Sequence, residues 1–172
     1  MTPTELMRAR AAPVRLVIFD CDGVIIDSEP IANREMAAEM TRLGWPMTPE
    51  EAAANFLGMN FTDMKPIIAG RTGAVLSEAW EQGVVERFLA AMRAEGAAVV
   101  GAIEAIEAIS AMGLPWRVAS NSSHEEMAVK FAAIGFSHRV AGRLHSYTDV
   151  PRGKPAPDIY LAAAAAEGIA PE

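Results

Sequence analysis

The first patterned stretch is a mostly apolar, β-branched run over residues 14–19, closing on Val17, Ile18 and Phe19. A short apolar run stopped by polar residues predicts a buried strand. The pattern then turns helical. Pro30 can open a helix with Ile31, Met36, Met40 and Leu43 on one stripe and Gly44 to end it. Thr48-Pro49-Glu50-Glu51 is a capping box with proline at the first helical position. Asn60 can cap a helix carrying Met64, Ile67 and Ile68, and Ser77 a longer one through Trp80, Val84, Phe88 and Met92. Residues 30–97 therefore read as all-helical. A helix over residues 101–112 and a strand over 116–119 follow. Ser123-His124-Glu125-Glu126 is a second capping box, heading a helix to Gly135. A weak strand near residues 139–141 and a helix over 157–167 complete the chain. The stripes of Met, Ile and Trp are read as ordinary core packing.

Strands alternating with helices imply a parallel sheet. The expected class is α/β: a Rossmann-like parallel core of about three strands, residues 1–28 and 99–172, with an inserted all-helical cap over 29–98.

Composition narrows the function. The 172 residues carry a net charge of −7, which argues against nucleic-acid and membrane-surface partners. An anionic substrate must then be held by local groups. The single cysteine, Cys21, cannot form an internal disulfide, which fits a reducing cytoplasm. No apolar run reaches the roughly 18 residues of a membrane span. Residues 1–13 contain arginines but no apolar core, and read as a frayed leader rather than a signal peptide.

The candidate chemistry sits just after the first strand, at Asp20-Cys21-Asp22-Gly23. In an extended chain positions i and i+2 share a side, so both carboxylates should gather at the strand's carboxyl end, where open α/β sheets bind ligands. Close carboxylates repel and favour a cation between them, most naturally Mg²⁺. Gly23 permits a sharp turn. Cys21 tempts a nucleophile reading, but alternation points it away from the aspartates and toward the core.

The string Asp20-Cys21-Asp22-Gly23-Val24-Ile25-Ile26-Asp27 resembles the first motif of the haloacid dehalogenase superfamily of phosphatases and phosphomutases. Trp116-Arg117-Val118-Ala119-Ser120-Asn121-Ser122 resembles its second motif, and Gly153-Lys154-Pro155-Ala156-Pro157-Asp158 the third motif of the branch with a helical cap. The resemblance runs over residues 14–172. It implies an aspartyl-phosphate route in which Asp20 attacks phosphorus. Asp20 and the Asp22 carbonyl would bind Mg²⁺, and the Asp22 side chain would serve as acid and then base. Ser120 and Asn121 would bind the phosphoryl group, and Lys154 would supply charge to it and to Asp20. Pro155 is a candidate cis proline. Glu29 is a weaker substrate candidate, as are Gly58 and Asn60 in the loop where relatives place a specificity loop; helix capping is the stronger reading for Asn60. His124, His138 and His145 lack ligand spacing and read as surface or packing residues.

Two departures shape the expectation. The β-phosphoglucomutase branch carries a histidine, an arginine and a lysine where this chain has Ala32, Phe61 and Ser123, which favours a phosphatase acting on a small phosphorylated sugar or related metabolite. A sugar phosphomutase and a non-catalytic phosphate-binding fragment are the alternatives. The family's fourth, acidic motif would begin beyond Glu172. The expectation is a shortened chain with weakened Mg²⁺ binding and turnover. Its first strand would be an exposed edge that invites self-association.

Overall fold

The computed structural model describes residues 13–170; the expected leader therefore lies almost wholly outside the described residues. Strand β1 (Val17–Phe19) is followed by four helices, α1 (Glu29–Arg42), α2 (Pro49–Phe56), α3 (Phe61–Thr72) and α4 (Glu78–Glu95). Then come α5 (Ala102–Ala111), β2 (Trp116–Ser120), α6 (His124–Ala133), α7 (Ser137–Val140), β3 (Leu144–Ser146), a 3₁₀ turn (Tyr147–Asp149) and α8 (Asp158–Ala165).

The sheet is parallel, in the order β1-β2-β3. Val17 pairs with Trp116 and Phe19 with Val118; Val118 also faces Leu144, and Ser120 faces Ser146. With neighbours on both sides, β2 is almost wholly buried, whereas β1 is half-buried along its length. Strands β2 and β3 end in register at Ser120 and Ser146, with β1 stopping two residues earlier at Phe19, so the loops that follow all leave from the same edge of the sheet.

Two apolar clusters organise the chain. One gathers around the sheet and includes Cys21, Ile25, Ile26, Ile106, Trp116, Val118, Met127 and Phe131. The other, built on Ala37, Met40, Ala52, Phe56 and Ile68, lies among α1, α2 and α3. Helices α1 and α4 serve both: Ile31 and Met92 join the sheet cluster, while Met40 and Trp80 belong to the helical one. The two chain crossings between these regions run side by side. Asp27 N–H donates to the Ala97 carbonyl and Val99 N–H to the Ile25 carbonyl, both at 2.9 Å.

The four caps predicted from polar punctuation are present. Thr48 and Ser123 form full capping boxes with Glu51 and Glu126, and Asn60 and Ser77 accept from the N–H groups of Asp63 and Trp80. Each satisfies helix-start N–H groups that have no intrahelical partner.

Two strand expectations need correction. The first strand covers only Val17–Phe19, and Val14 is exposed. Residues 139–141 are not a strand: Arg139 and Val140 lie in α7, and the third strand comes later, at Leu144–Ser146. Phe136 and Val140 both bury into the sheet cluster, and that four-residue spacing is helical, not alternating. The true strand, Leu-His-Ser, carries one apolar residue and no period-two signal.

Candidate active site

Asp20 follows the last residue of β1, and Asp22 lies in the turn beyond it. The same-face argument from an extended strand therefore does not govern their placement, and the two carboxylates are held by different cations. Lys154 Nζ lies 2.6 Å from Asp20 Oδ1, and the Cys21 N–H donates to the same oxygen at 2.7 Å. Asp22 meets Lys130 Nζ instead, at 2.8 Å from Oδ1 and 2.9 Å from Oδ2. Ser28 Oγ donates to Asp22 Oδ1 at 2.7 Å and Ser122 Oγ to Oδ2 at 3.0 Å. Burial opposes ionisation of Asp22. The Lys130 charge and the hydrogen bonds from Lys130, Ser28 and Ser122 outweigh it, so its carboxyl titrates below the usual carboxylate range.

Cys21 lies between the two aspartates and points into the sheet cluster, fully buried. Burial, reinforced by the Asp22 charge, pushes its thiol up to about 12. A thiol held that firmly protonated is no nucleophile at neutral pH.

Ser120, at the end of β2, is 1% exposed, and its Oγ accepts from the Ser122 N–H at 3.0 Å. Asn121 clamps the loop that carries Lys154. Its Nδ2 donates to the Lys154 carbonyl at 2.9 Å, and its Oδ1 accepts from the Lys154 N–H at 2.8 Å. This close approach requires Gly153, where a Cβ would stand 2.7 Å from Asn121 Oδ1. The Asn121 side chain is thus committed to the loop. The Lys154–Pro155 bond is cis, and Lys154 Nζ also donates to the Ala119 carbonyl at 3.1 Å. Asp20, Asp22, Ser120, Asn121 and Lys154 are therefore brought to one end of the sheet.

The weaker candidates divide. Glu29 starts α1, and its Oε1 lies 3.0 Å from where a Cβ on Gly23 would stand, which puts it against the turn that carries Asp22. Gly23 itself has φ +69°, a conformation that favours glycine. Gly58 is an exposed turn residue, and Asn60 spends its side chain on Asp63. His124 pairs with Asp149 at 2.8 Å in an exposed position.

As hard oxygen donors, the Asp20 carboxylate and the Asp22 main-chain carbonyl suit Mg²⁺, which typically takes one or two protein carboxylates and fills its shell with water and phosphate oxygens. Among the described residues no group of three or more His, Cys, Asp or Glu side chains is gathered around a metal-sized space.

Sequence reasoning missed Lys130. The signal was present: a lysine on the α6 stripe between the buried Met127 and Phe131, where an apolar residue is the rule. A concavity of about 480 Å³ around Leu114, Trp116 and Arg143 lies at the start of β2, the wrong end of a parallel sheet for its chemistry.

Comparison with known proteins identifies the family and the fold. The chain is 29% identical over 157 residues to the 6-phosphogluconate phosphatase of Escherichia coli (strain K12), covering 91% of this chain and 70% of that one. It is 30% identical over 162 residues to hexitol phosphatase A of the same strain, covering 90% and 69%. The crystal structure of a haloacid dehalogenase family hydrolase from Deinococcus radiodurans R1, with bound phosphate and sodium, superposes with a TM-score of 0.75 at 31% identity, covering 92% of this chain and 69% of that one. The family model for haloacid dehalogenase-like hydrolases matches residues 14–172, and the chain belongs to that family.

Proposed function

We propose that this chain is a Mg²⁺-dependent phosphatase that hydrolyses small phosphorylated sugars or related metabolites through an aspartyl-phosphate on Asp20. The observation that carries this reading is the separation of roles at the strand ends. One carboxylate sits against an ammonium at 2.6 Å, and a second, two residues on, is held by a different set of donors.

In the first step an Asp20 oxygen forms a bond to phosphorus as the bond to the leaving alkoxide breaks, and that alkoxide takes a proton from the Asp22 carboxyl. In the second, water attacks phosphorus and gives its proton to Asp22, which restores the Asp20 carboxylate and frees phosphate. The donors around Asp22 favour the ionised form, suited to the second step. An arriving phosphate dianion opposes that charge and raises the proton affinity of Asp22 for the first. Lys154 offsets negative charge on the phosphoryl oxygens, and the Ser120 hydroxyl and Asn121 N–H bind them. Mg²⁺, held by Asp20 and the Asp22 carbonyl, would supply further charge neutralisation. Residues 29–98 act as a cap over this site, carried on the paired crossings at residues 25–27 and 97–99, with Glu29, Gly58 and Asn60 as candidate leaving-group contacts.

Three features support a phosphatase over a mutase. Ala32 carries no functional group, Phe61 packs edge-on against Trp80, and Ser123 caps α6. The names of the two Escherichia coli relatives point to sugar-acid and polyol phosphates as the first substrates to try. The test is Mg²⁺-dependent phosphate release across such a panel, with Asp20→Asn beside it. The expected result is release by the parent and loss of at least about 10³-fold in the variant. A folded chain that releases no phosphate, or an equally active variant, overturns the reading; the former would favour a non-catalytic phosphate binder.

A further inference from the structure

Lys130 is a buried cation that the reaction above does not use. Its side chain is 4% exposed. The ammonium reaches both oxygens of Asp22 and donates to Ser122 Oγ at 2.7 Å, so its three hydrogens have three acceptors. It also lies 5.5 Å from the centre of the Phe88 ring of α4. Asp22 is thereby held from three separate segments: Ser28 before α1, Ser122 after β2, and Lys130 in α6. Its side chain nevertheless remains 36% exposed, so the carboxylate is clamped from behind and open in front.

We propose that Lys130 is a positioning residue that fixes the Asp22 carboxylate in line with the leaving group, with the α4 helix as its backstop through Phe88. The Ser28 and Ser122 hydroxyls each hold one oxygen by a neutral hydrogen bond. The Lys130 ammonium adds stronger charge-assisted bonds to both oxygens and holds Ser122 Oγ in place as well, so it sets how firmly the carboxylate is fixed. The inference rests on the phosphatase reading, because it assigns Asp22 the proton transfer to the leaving group.

The experiment compares Lys130→Met and Lys130→Arg with the parent chain on two substrates. One is an aryl phosphate, whose leaving group needs little protonation; the other is a hexitol phosphate, whose alkoxide needs it. General acid–base catalysis contributes about 10²–10⁴-fold. Lys130→Met should therefore lose about 10²-fold in kcat on the hexitol ester, with KM little changed, and far less on the aryl ester. Lys130→Arg should recover part of the loss. Equal losses on both esters would mean a structural role only and would overturn the proposal. A parent chain that turns over neither ester defeats the phosphatase reading instead. In that case a crystal structure of Lys130→Met decides the positioning claim: Asp22 turned away from Ser28 or Ser122 supports it, and an unchanged carboxylate refutes it. If Lys130→Met does not fold, Phe88→Leu replaces it in both measurements, with the same outcomes at smaller size.

Discussion

Asp22 and Glu39 are each held by three side chains, and their surroundings differ. Glu39, in α1, accepts from the Trp80 indole N–H and from Arg87 Nη2 at 2.6 Å, and pairs with Arg42 one turn away. Its side chain is 1% exposed. Asp22 is as well supplied with donors but keeps an open face. The burial is also reversed: around Glu39 the cations are exposed and the anion is sealed, whereas at the sheet it is the lysine that is sealed. A closed cluster of this kind can only hold helices together. An open one can hold a carboxylate still and present it to something else.

The sharpest way to break this comparison is to strand the buried anion. Replacing Arg42 and Arg87 together with methionine should destabilise the chain by about 3–5 kcal/mol, because Glu39 is left charged and sealed from water. Glu39→Met leaves two solvated guanidiniums and one indole N–H without an acceptor, and should cost only about 1–2 kcal/mol. Denaturant titration of both variants reads the difference, and equal losses would deny that the anion is the vulnerable partner.

Lys130→Met should cost about 1–2 kcal/mol, as little as Glu39→Met and well below the double arginine variant, since water can reach the open face of Asp22 and compensate in part. A loss as large as that of the double arginine variant would mean that this face is closed in solution. Ser123→Ala removes a cap from the helix that carries Lys130 and should cost about 1 kcal/mol. Thermal unfolding would detect it, and no shift would show that tertiary packing alone holds the start of α6. The smallest effect is expected at Cys21. With its thiol pushed up to about 12 and fully buried, a thiol reagent at pH 8 should leave the native chain unlabelled while reacting readily after denaturation. Rapid native labelling would expose the interior between the two aspartates.

Much of this architecture could be read from local signals. A helix start is a problem of a few adjacent N–H groups, so Thr48, Asn60, Ser77 and Ser123 announced their helices correctly. The third strand could not be read that way. Leu144–Ser146 is a strand because β2 offers it a ladder, not because its residues alternate, and the strand expected near residues 139–141 falls at the end of a short helix instead. Asp20, Asp22, Ser120, Asn121 and Lys154 were identifiable because motifs are strings of neighbours in sequence.

The run of strands and helices, the helical insert, and the motif residues proposed here for phosphoryl chemistry follow from the sequence itself, since each depends on short-range pattern and residue type. Most of the partnerships among those residues do not. Lys154 beside Asp20 was expected from motif resemblance, but that Lys130 faces Asp22 across 108 positions, and that Asn121 is spent on holding the Lys154 loop, were decided only by the parallel sheet. It brings three distant strand ends to the same edge, where charge and hydrogen bonding select the pairs.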